Sequence, residues 1–308
     1  MKYEEKKVTP LSQYELSKYA ALRPIYISEG QFLNQFIWSN FYDTTYITTD
    51  TFLFYLINVY GERVTMLPYC KAEDIPATFQ AICDYFHTEL QKPLTMYLAD
   101  EAFVEALRTS IPDIEDRFSI EEDRDCFDYI YDAEKLRTLS GKAYHKKKNH
   151  VNAFLKEYEG RFEYRTLNCR NTSEIEGFHK RWLVEREITG RRDSISSEET
   201  GINQIFENCR DIDSRLGGIY IDGVLEAYSI GSYNPNTKYA YIHIEKANPE
   251  CRGLYPFINQ QFLTNEFPEA LFVNREDDLG QEGLRKSKLS YKPVRLEKKF
   301  VIKEKTSS

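Results

Sequence analysis

The polar cluster at residues 274–278 opens with Asn274 and Arg275 and follows a short apolar run that predicts a strand. Ligands commonly bind in the crevice beyond the carboxyl ends of strands in α/β sheets, so this position favours a binding role. Asp277 and Asp278 equally suit the N-cap of a following helix, which is a purely structural role. The residue types leave both interpretations open.

A second candidate is the basic helix predicted over residues 142–158. On a helical wheel, Tyr144, Val151 and Phe154 form an apolar stripe, and Lys147 and Lys148 lie within or beside it. Lysines that point towards a packed side seldom remain unpaired. They either extend to the rim of the stripe or face an anion, so this helix predicts an anion-binding site or, alternatively, ordinary solvated lysines.

Metal and disulfide chemistry is not indicated. The six cysteines are scattered, without a Cys-x-x-Cys pair or closely spaced histidines, so buried free thiols are expected. The acidic run at residues 113–125 lacks the ligand spacing of a calcium loop and predicts a solvated loop. We expect no tightly bound metal, which elemental analysis would check.

The elements that must position these residues fall into two similar series. In the first, hydrophobic periodicity predicts helices over 11–22 and 30–41, a meander over 44–69, a helix over 74–90, a strand over 94–98, a helix over 101–110 and a strand over 126–131. After the basic helix, the second series runs strand 162–167, helices 172–186 and 198–209, hairpin 218–232, strand 239–245, helix 254–265, strand 271–274, helix 279–289 and strand 294–302. The similar order predicts structural duplication.

The hairpin at residues 218–232 is the strongest local signal in the second series. Its strands alternate around Asp222-Gly223, the dipeptide that best suits a type I′ turn. We therefore expect an antiparallel sheet here.

Length and composition agree with a folded protein of two domains. The chain has 308 residues, of which 41% are hydrophobic and 29% charged, which argues against disorder. It contains no apolar stretch of about 20 residues and begins with a polar segment, so we expect no membrane insertion and a cytoplasmic location.

Charge is unevenly divided between the two halves. Residues 1–139 hold 13 Lys+Arg and 24 Asp+Glu, a net charge of −11, whereas residues 140–308 hold 28 and 25, a net charge of +3. An anionic ligand would be drawn to the second half, although the acidic first half equally suits solubility. The overall pI near 5.4 disfavours a nucleic-acid-binding module.

Three local sequences carry a resemblance to a known family. They are KKKNHVN at residues 146–152, EKANPECRGLYP at 245–256 and VNREDDLGQEGLRKSKLSYKP at 273–293. Together they resemble a family of unknown function related to the C-terminal domain of phosphatidylglycerol lysyltransferase. That resemblance covers nearly the whole chain and implies a tandem GNAT fold, also found in the Fem peptidyltransferases, which use aminoacyl-tRNA.

The resemblance implies a donor site at residues 251–256, where a typical GNAT enzyme holds the pyrophosphate of acyl-CoA on a glycine-rich turn. Here Arg252 and Gly253 are present, but the turn has one glycine and Pro256 removes a backbone donor. Acyl-CoA therefore fits this turn less well than aminoacyl-tRNA, which does not require it. With Lys147, Lys148, Asn274 and Arg275, these residues form the expected donor-binding set.

The resemblance also implies catalytic positions. Glu245 ends a strand where GNAT enzymes often contact substrate and could act as a base, or it could be exposed or ion-paired with Lys246 or Arg275. The usual tyrosine acid is replaced by Lys286, which could hold a developing negative charge or remain solvated. Tyr291 occupies the phenylalanine position of the same pattern.

We therefore expect an α/β (α+β) chain of two GNAT-like domains, residues 1–139 and 140–308, with the site in the second. The expected function is transfer of an acyl or aminoacyl group to an amine or hydroxyl of a small-molecule or peptide acceptor, without a tightly bound cofactor. The alternative is a catalytically silent GNAT-fold ligand-binding protein. If the site exists, Lys147 or Lys148 should converge with Arg252, Lys286 or residues 274–278.

Overall fold

The structure, a computed structural model, describes residues 3–188 and 195–306. The strands are β1 (Glu5–Lys7), β2 (Thr45–Thr48), β3 (Leu53–Val59), β4 (Glu62–Met66), β5 (Thr95–Asp100), β6 (Phe118–Glu122), β7 (Asp128–Asp132), β8 (Phe162–Leu167), β9 (Arg215–Ile221), β10 (Val224–Asn234), β11 (Tyr239–Ala247), β12 (Phe272–Asn274), β13 (Arg295–Glu297) and β14 (Lys299–Glu304). The helices are α1 (Ser12–Ala20), α2 (Phe32–Ser39), α3 (Ile75–Thr88), α4 (Glu101–Ser110), α5 (Ile114–Arg117), α6 (Ala133–Thr138), α7 (His145–Glu157), α8 (Thr172–Ile188), α9 (Ile195–Glu207), α10 (Leu254–Glu266) and α11 (Glu282–Leu289).

The chain forms two compact units. The first contains the residues up to Asp128, the segment Asp277–Gly280 and the residues from Glu297 onward. The second contains Tyr129–Glu276 and Gln281–Leu296. This division differs from the expected boundary after Leu139, because the chain returns to the first unit after it has built the second.

The first unit is built around a seven-stranded sheet in the order β1-β2-β3-β4-β5-β14-β6. Strands β1 to β4 pair antiparallel. The chain then crosses through α3, and β5 pairs parallel to β4. Strand β14 pairs antiparallel with both β5 and β6.

The second unit repeats this plan in the order β13-β7-β12-β11-β10-β9-β8. Strands β8 to β11 pair antiparallel, α10 forms the crossover, and β12 pairs parallel to β11. Strand β7 then pairs antiparallel with β12. The expected duplication is present. The first sheet includes β14 from the C-terminal end of the chain, and the second includes β7, which precedes the other strands of that sheet in sequence.

Two predicted strands therefore lie elsewhere than expected. The strand predicted over residues 126–131 to close the first half is β7, which belongs to the second sheet. The single strand predicted over residues 294–302 is two strands: β13 joins the second sheet and β14 joins the first. Strand pairing is set by contacts distant in sequence, so local patterns find strands without finding their partners.

Local signals located many of the elements correctly. Helix α4 has the predicted bounds because Asp100 caps it, accepting a hydrogen bond from the Phe103 amide, and Phe103, Val104 and Leu107 are buried on one face. In the hairpin, Asp222 and Gly223 have φ angles of 50° and 80°, as a type I′ turn requires.

The acidic run at residues 113–125 is not the solvated loop that was expected. It forms the short helix α5 and the strand β6, which pairs with β14. Ile114 and Phe118 are buried and anchor these elements, while the acidic residues of the run are exposed apart from the half-buried Asp123. The burial of two apolar side chains therefore stabilises regular structure here despite the high charge of the segment.

The cysteines also differ from the expectation. Cys169 and Cys209 form a disulfide with a Cα–Cα distance of 5.5 Å, and the free thiols are Cys70, Cys83, Cys126 and Cys251. The two cysteines are 40 residues apart, one just before α8 and the other just beyond the end of α9, so no spacing rule identifies the pair. Disulfides are uncommon in reducing compartments, so the cytoplasmic location stays a prediction.

Within the described ranges, no helix is long and apolar enough to cross a membrane. The same ranges contain no group of three or more His, Cys, Asp or Glu side chains that could hold a metal ion.

Candidate active site in the second unit

The candidate site lies where β11 and β12 separate. The two strands pair from Tyr239 and Phe272 to Tyr241 and Asn274. Strand β11 then continues to Ala247, while the segment after β12 follows β7 instead: the Arg275 amide donates to the Tyr129 carbonyl. The separation leaves side chains of β11 facing those of the departing segment.

A β-bulge in β11 determines which side chains face this opening. Ile230 pairs with Ile244 and Gly231 pairs with Ile242, so His243 is the extra residue. A bulge interrupts the simple alternation of side chains along a strand. It turns Glu245 towards α10, on the side of the sheet where Ile242 enters the hydrophobic core.

Both carboxylate oxygens of Glu245 are occupied. Arg275 Nη2 donates to Oε1 at 2.8 Å, and Asn259 Nδ2 donates to Oε2 at 2.8 Å. The side chains of Glu245 and Arg275 are only 11% and 13% exposed. Of the interpretations considered above, the structure shows the ion pair with Arg275, whereas Lys246 pairs with Glu198.

The ion pair fixes the Arg275 guanidinium through Nη2 and leaves Nη1 without a hydrogen bond to any described residue. Its Nη1 atom is buried and has no hydrogen-bond partner among the described residues. Burying a guanidinium nitrogen without a partner is costly, so such an atom marks a position where an oxygen of a ligand is favoured.

The ring of Tyr291 contacts two cations. The Arg275 guanidinium carbon is 4.7 Å from the centre of its ring, and Lys147 Nζ is 3.9 Å from the same centre. Burial raises the pKa of Tyr291 to about 12, so its hydroxyl keeps its proton at neutral pH. Burial, reinforced by the charges of Arg275 and Lys146, lowers the pKa of Lys147 to about 8. Arg275 can therefore supply a fixed cation, Tyr291 a proton donor, and Lys147 an amine whose pKa is near 8.

The predicted residues converge only in part. Lys147 joins Arg275 and Tyr291, as the convergence hypothesis requires. Lys148, Arg252 and Lys286 are exposed side chains with no contact to this cluster among the described residues. The expected roles of these three residues in this site are therefore not supported.

Two further predicted residues have structural roles. Asn274 is fully buried, and its side-chain oxygen accepts a hydrogen bond from the Glu276 amide at 2.7 Å, which turns the chain beyond β12. Gly253 has a φ angle of 87°, and a Cβ atom there would collide with the carbonyl oxygen of His150 in α7. Glycine is required at this position because the turn packs directly on the backbone of α7.

Neither aspartate of the cluster caps a helix. Helix α11 begins after Gln281, which makes no side-chain capping bond. Asp278 is fully buried within the first unit, where Arg124 Nη1 approaches it at 3.4 Å. The N-cap interpretation is wrong for both residues.

Sequence reasoning missed Asn259, which holds the second oxygen of Glu245. It is 1% exposed and lies between Phe262 and Leu263 on the wheel of α10. A polar residue on an otherwise apolar helix face is the signal that could have found it, because buried amides need partners.

Known proteins share this fold. A conserved protein of unknown function from Bacteroides thetaiotaomicron has 26% identity and a TM-score of 0.90, covering 99% of this chain and 100% of that one. The structure of L-PGS from Bacillus licheniformis gives 0.70 at 12% identity, covering 98% and 94%. FemX and a tandem GNAT protein from the clavulanic acid biosynthesis pathway give 0.62 and 0.51 at 9% and 10% identity, over at least 96% of both chains in each comparison. The expected pair of GNAT-like domains is confirmed.

Sequence comparison identifies a relative and a family. An uncharacterized protein of Mycoplasmoides gallisepticum (strain R(low / passage 15 / clone 2)) is 28% identical over 175 residues, which cover 57% of this chain and 55% of that protein. The match therefore spans about half the length of that relative. The family model described as phosphatidylglycerol lysyltransferase, C-terminal, matches residues 20–303, and the chain belongs to this family.

Proposed function

We propose that the second unit transfers an aminoacyl or acyl group to an amine or hydroxyl acceptor. The observation that carries this proposal is Arg275, whose Nη2 is fixed by Glu245 while the buried Nη1 has no partner. In acyl transfer the carbonyl oxygen of the donor becomes negatively charged, and a preorganised cation stabilises that charge. Arg275 is the residue we assign to this role.

The neighbouring groups supply the proton transfers. Lys147 in its neutral form accepts the proton of the attacking nucleophile, because its pKa is lowered to about 8. Tyr291 donates a proton to the departing oxygen, because burial keeps it protonated. Glu245 and Asn259 position Arg275 and do not themselves meet the substrate.

The donor we favour is an aminoacyl ester such as aminoacyl-tRNA rather than acyl-CoA. A pyrophosphate binds at a helix N-terminus through free backbone amides. At the start of α10 the Leu254 amide already donates to the Cys251 carbonyl, and Pro256 has no amide hydrogen. The family name agrees with an aminoacyl donor.

The test presents both donor classes to the purified chain. Transfer-RNA charged with labelled amino acids, or labelled acyl-CoA, is incubated with phosphatidylglycerol vesicles, small amines and peptides, and the label is followed into each acceptor. We expect acceptor-dependent transfer from the aminoacyl ester. Ligand-induced thermal stabilisation without transfer from either donor would favour the silent ligand-binding alternative; a ligand at 100 times its Kd stabilises by about 2.7 kcal/mol.

The pH dependence of transfer reports on Lys147. An amine base works only when it is neutral, so kcat/KM should rise with pH and level off above about 8, the pKa of Lys147, rather than above the ordinary 10.5. In Lys147→Arg, the guanidinium stays protonated and the ascending limb should disappear together with most of the activity. An unchanged profile in this variant rules out Lys147 as the base. The measurement is kcat/KM from pH 6 to 10.

A further inference from the structure

A second polar cluster in the second unit lies outside the residues assigned above. Ser232 on β10, His243 on β11 and Glu276 beyond β12 form a continuous chain of hydrogen bonds. His243 Nε2 is 2.8 Å from Ser232 Oγ, and His243 Nδ1 is 2.8 Å from Glu276 Oε1. The histidine side chain is 1% exposed, whereas Ser232 is partly open to solvent.

The local backbone holds this cluster in place. His243 is the bulge residue of β11, and its ring lies nearly parallel to that of Tyr241, at 9° and 6.4 Å between centres. Glu276 has a φ angle of 55°, its amide donates to Asn274 Oδ1, and its carbonyl accepts from the Tyr129 amide. A strained, fully bonded backbone at such a position fixes the direction of the side chain.

The hydrogen bonds determine the roles of the two ring nitrogens. An ionised Glu276 carboxylate only accepts hydrogen bonds, so Nδ1 carries the ring hydrogen and donates it. Nε2 of the neutral ring is then the acceptor, and Ser232 donates its hydroxyl hydrogen to it. Serine, histidine and carboxylate stand in the order and at the spacing of a nucleophilic triad, which is recognised by geometry and not by sequence position.

We propose that Ser232 is a nucleophile activated by His243, with Glu276 as the residue that positions the imidazole. The substrate class is an activated carboxylic ester. Ser232 Oγ forms a bond to the acyl carbon as its proton moves to His243 Nε2, and the bond from that carbon to the ester oxygen breaks. His243 then gives the proton to the departing alkoxide, which leaves as an alcohol.

The second half of the reaction restores the enzyme. Water or an amine attacks the acyl-serine carbon, His243 accepts its proton, and the bond from the acyl carbon to Ser232 Oγ breaks with return of that proton to the serine. The net change is hydrolysis or aminolysis of the ester, with no other reactant. This covalent step goes beyond the direct transfer proposed above, which needs no serine.

The two clusters are joined by adjacent residues. Arg275 donates a hydrogen bond to Glu245, and the next residue, Glu276, is hydrogen-bonded to His243. These two consecutive residues therefore connect the segment after β12 to two positions of β11. Gly231 faces Phe262 of α10, so the next residue, Ser232, lies on the opposite face of the sheet from Glu245, and the serine acts separately from Arg275.

The test is covalent labelling with a fluorophosphonate, a probe that reacts with activated serines irrespective of the natural substrate. We expect one label per chain, and peptide mass mapping should locate it on Ser232 without any variant. Ser232→Ala should abolish labelling, and His243→Gln should slow it by about 10²–10⁴-fold. The matched control is Ser229→Ala on the same strand, whose hydroxyl is buried without a hydrogen-bond partner in the described chain, and it should label normally.

Glu276 requires a separate readout because it positions the histidine without touching the substrate. Glu276→Gln should slow labelling, and Glu276→Asp, which restores a carboxylate, should recover part of the rate while the melting temperature of the two variants stays equal. A wild-type chain that takes up no label, a label on another residue, or full-rate labelling of His243→Gln overturns the proposal. Labelling needs neither aminoacyl donor nor acceptor, so its failure leaves the proposed transfer intact, and the reverse also holds.

Discussion

Lys299→Met should lower the free energy of unfolding of the first unit by about 3–5 kcal/mol, because it leaves buried carboxylates without their cation. Lys299 is fully buried, and its Nζ lies 2.8 Å from Asp128 Oδ1 and 2.7 Å from Glu29 Oε2. Water replaces the ammonium poorly, since Asp128 is also fully buried and the Glu29 side chain is only 11% exposed. The measurement is urea unfolding followed by far-ultraviolet circular dichroism.

The loss of unfolding free energy in Lys299→Met should be smaller at acidic pH. Burial raises the pKa of Glu29 to about 7 although Lys299 lowers it, and the loss of that cation in the variant raises this pKa further. At pH 5.5 Glu29 is therefore protonated with or without Lys299, and the variant has one unpaired charge fewer than at high pH. The folded pKa is above the unfolded one, so the contribution of Glu29 protonation to stability is present at low pH and lost as the pH rises through 7. We expect the difference from wild type to be larger at pH 8.

The adjacent lysine provides the matched control. Lys298 is 40% exposed and pairs with Glu122 and Glu101 on the surface, so Lys298→Met should cost no more than about 1 kcal/mol. If Lys299→Met does not fold, the double variant Lys299→Met/Asp128→Asn, which removes one of the stranded charges, should recover folded protein. Equal losses at the two neighbouring lysines would show that the buried cluster contributes nothing specific.

The elements were predictable from sequence wherever the signal was local. Helix α4 and strand β8 have the predicted bounds, and the Asp222-Gly223 turn has the predicted conformation. Caps, turns and periodic apolar residues act within a few positions of the chain, so a single sequence contains them. The exchange of β7 and β14 between the sheets depends on pairing across more than a hundred residues, and no local pattern encodes it.

Several residues of the site could be identified from the sequence, but their arrangement in space could not. Lys147 was found because it lies beside an apolar stripe, and Arg275 because it follows a strand, where ligands commonly bind. The role of Glu245 depends on the bulge at His243, since an uninterrupted strand would turn its side chain to the other face. Sequence alternation gives no sign of an inserted residue.

Lys286 illustrates how a small shift in position changes a role. It is exposed on α11, whereas Lys288, two residues later, reaches the backbone carbonyl of Arg275 with its ammonium group. Two residues correspond to about 200° around a helix, so the neighbouring lysines face nearly opposite directions. The sequence motif selected Lys286, and only the packing of the helix shows that Lys288 is the lysine that contacts Arg275.

Arg275→Lys should lower kcat/KM for aminoacyl transfer by about 10²–10³-fold, the usual cost of removing one donor to the developing oxyanion. Arg275 Nη2 donates to Glu245, and Nη1 is the nitrogen that we propose binds the substrate oxygen. A lysine ammonium keeps the positive charge beside Glu245, so the buried carboxylate stays paired and the fold is preserved. It lacks the planar fork that presents a second nitrogen in a fixed direction.

The control makes the same chemical change at an exposed ion pair. Arg161 bonds Asp222 at the hairpin, where both side chains are 52% exposed, so Arg161→Lys should leave kcat/KM and melting temperature unchanged. Lys286→Met, which removes an exposed charge from α11, should also leave transfer unchanged, contrary to the role that sequence reasoning assigned to it. Full activity in Arg275→Lys would mean that charge alone suffices at this position, and the unpartnered Nη1 would then have no part in the transfer. A loss confined to KM would instead identify Arg275 as a residue that binds the ground state of the donor, because an interaction formed only in the transition state lowers kcat and kcat/KM together.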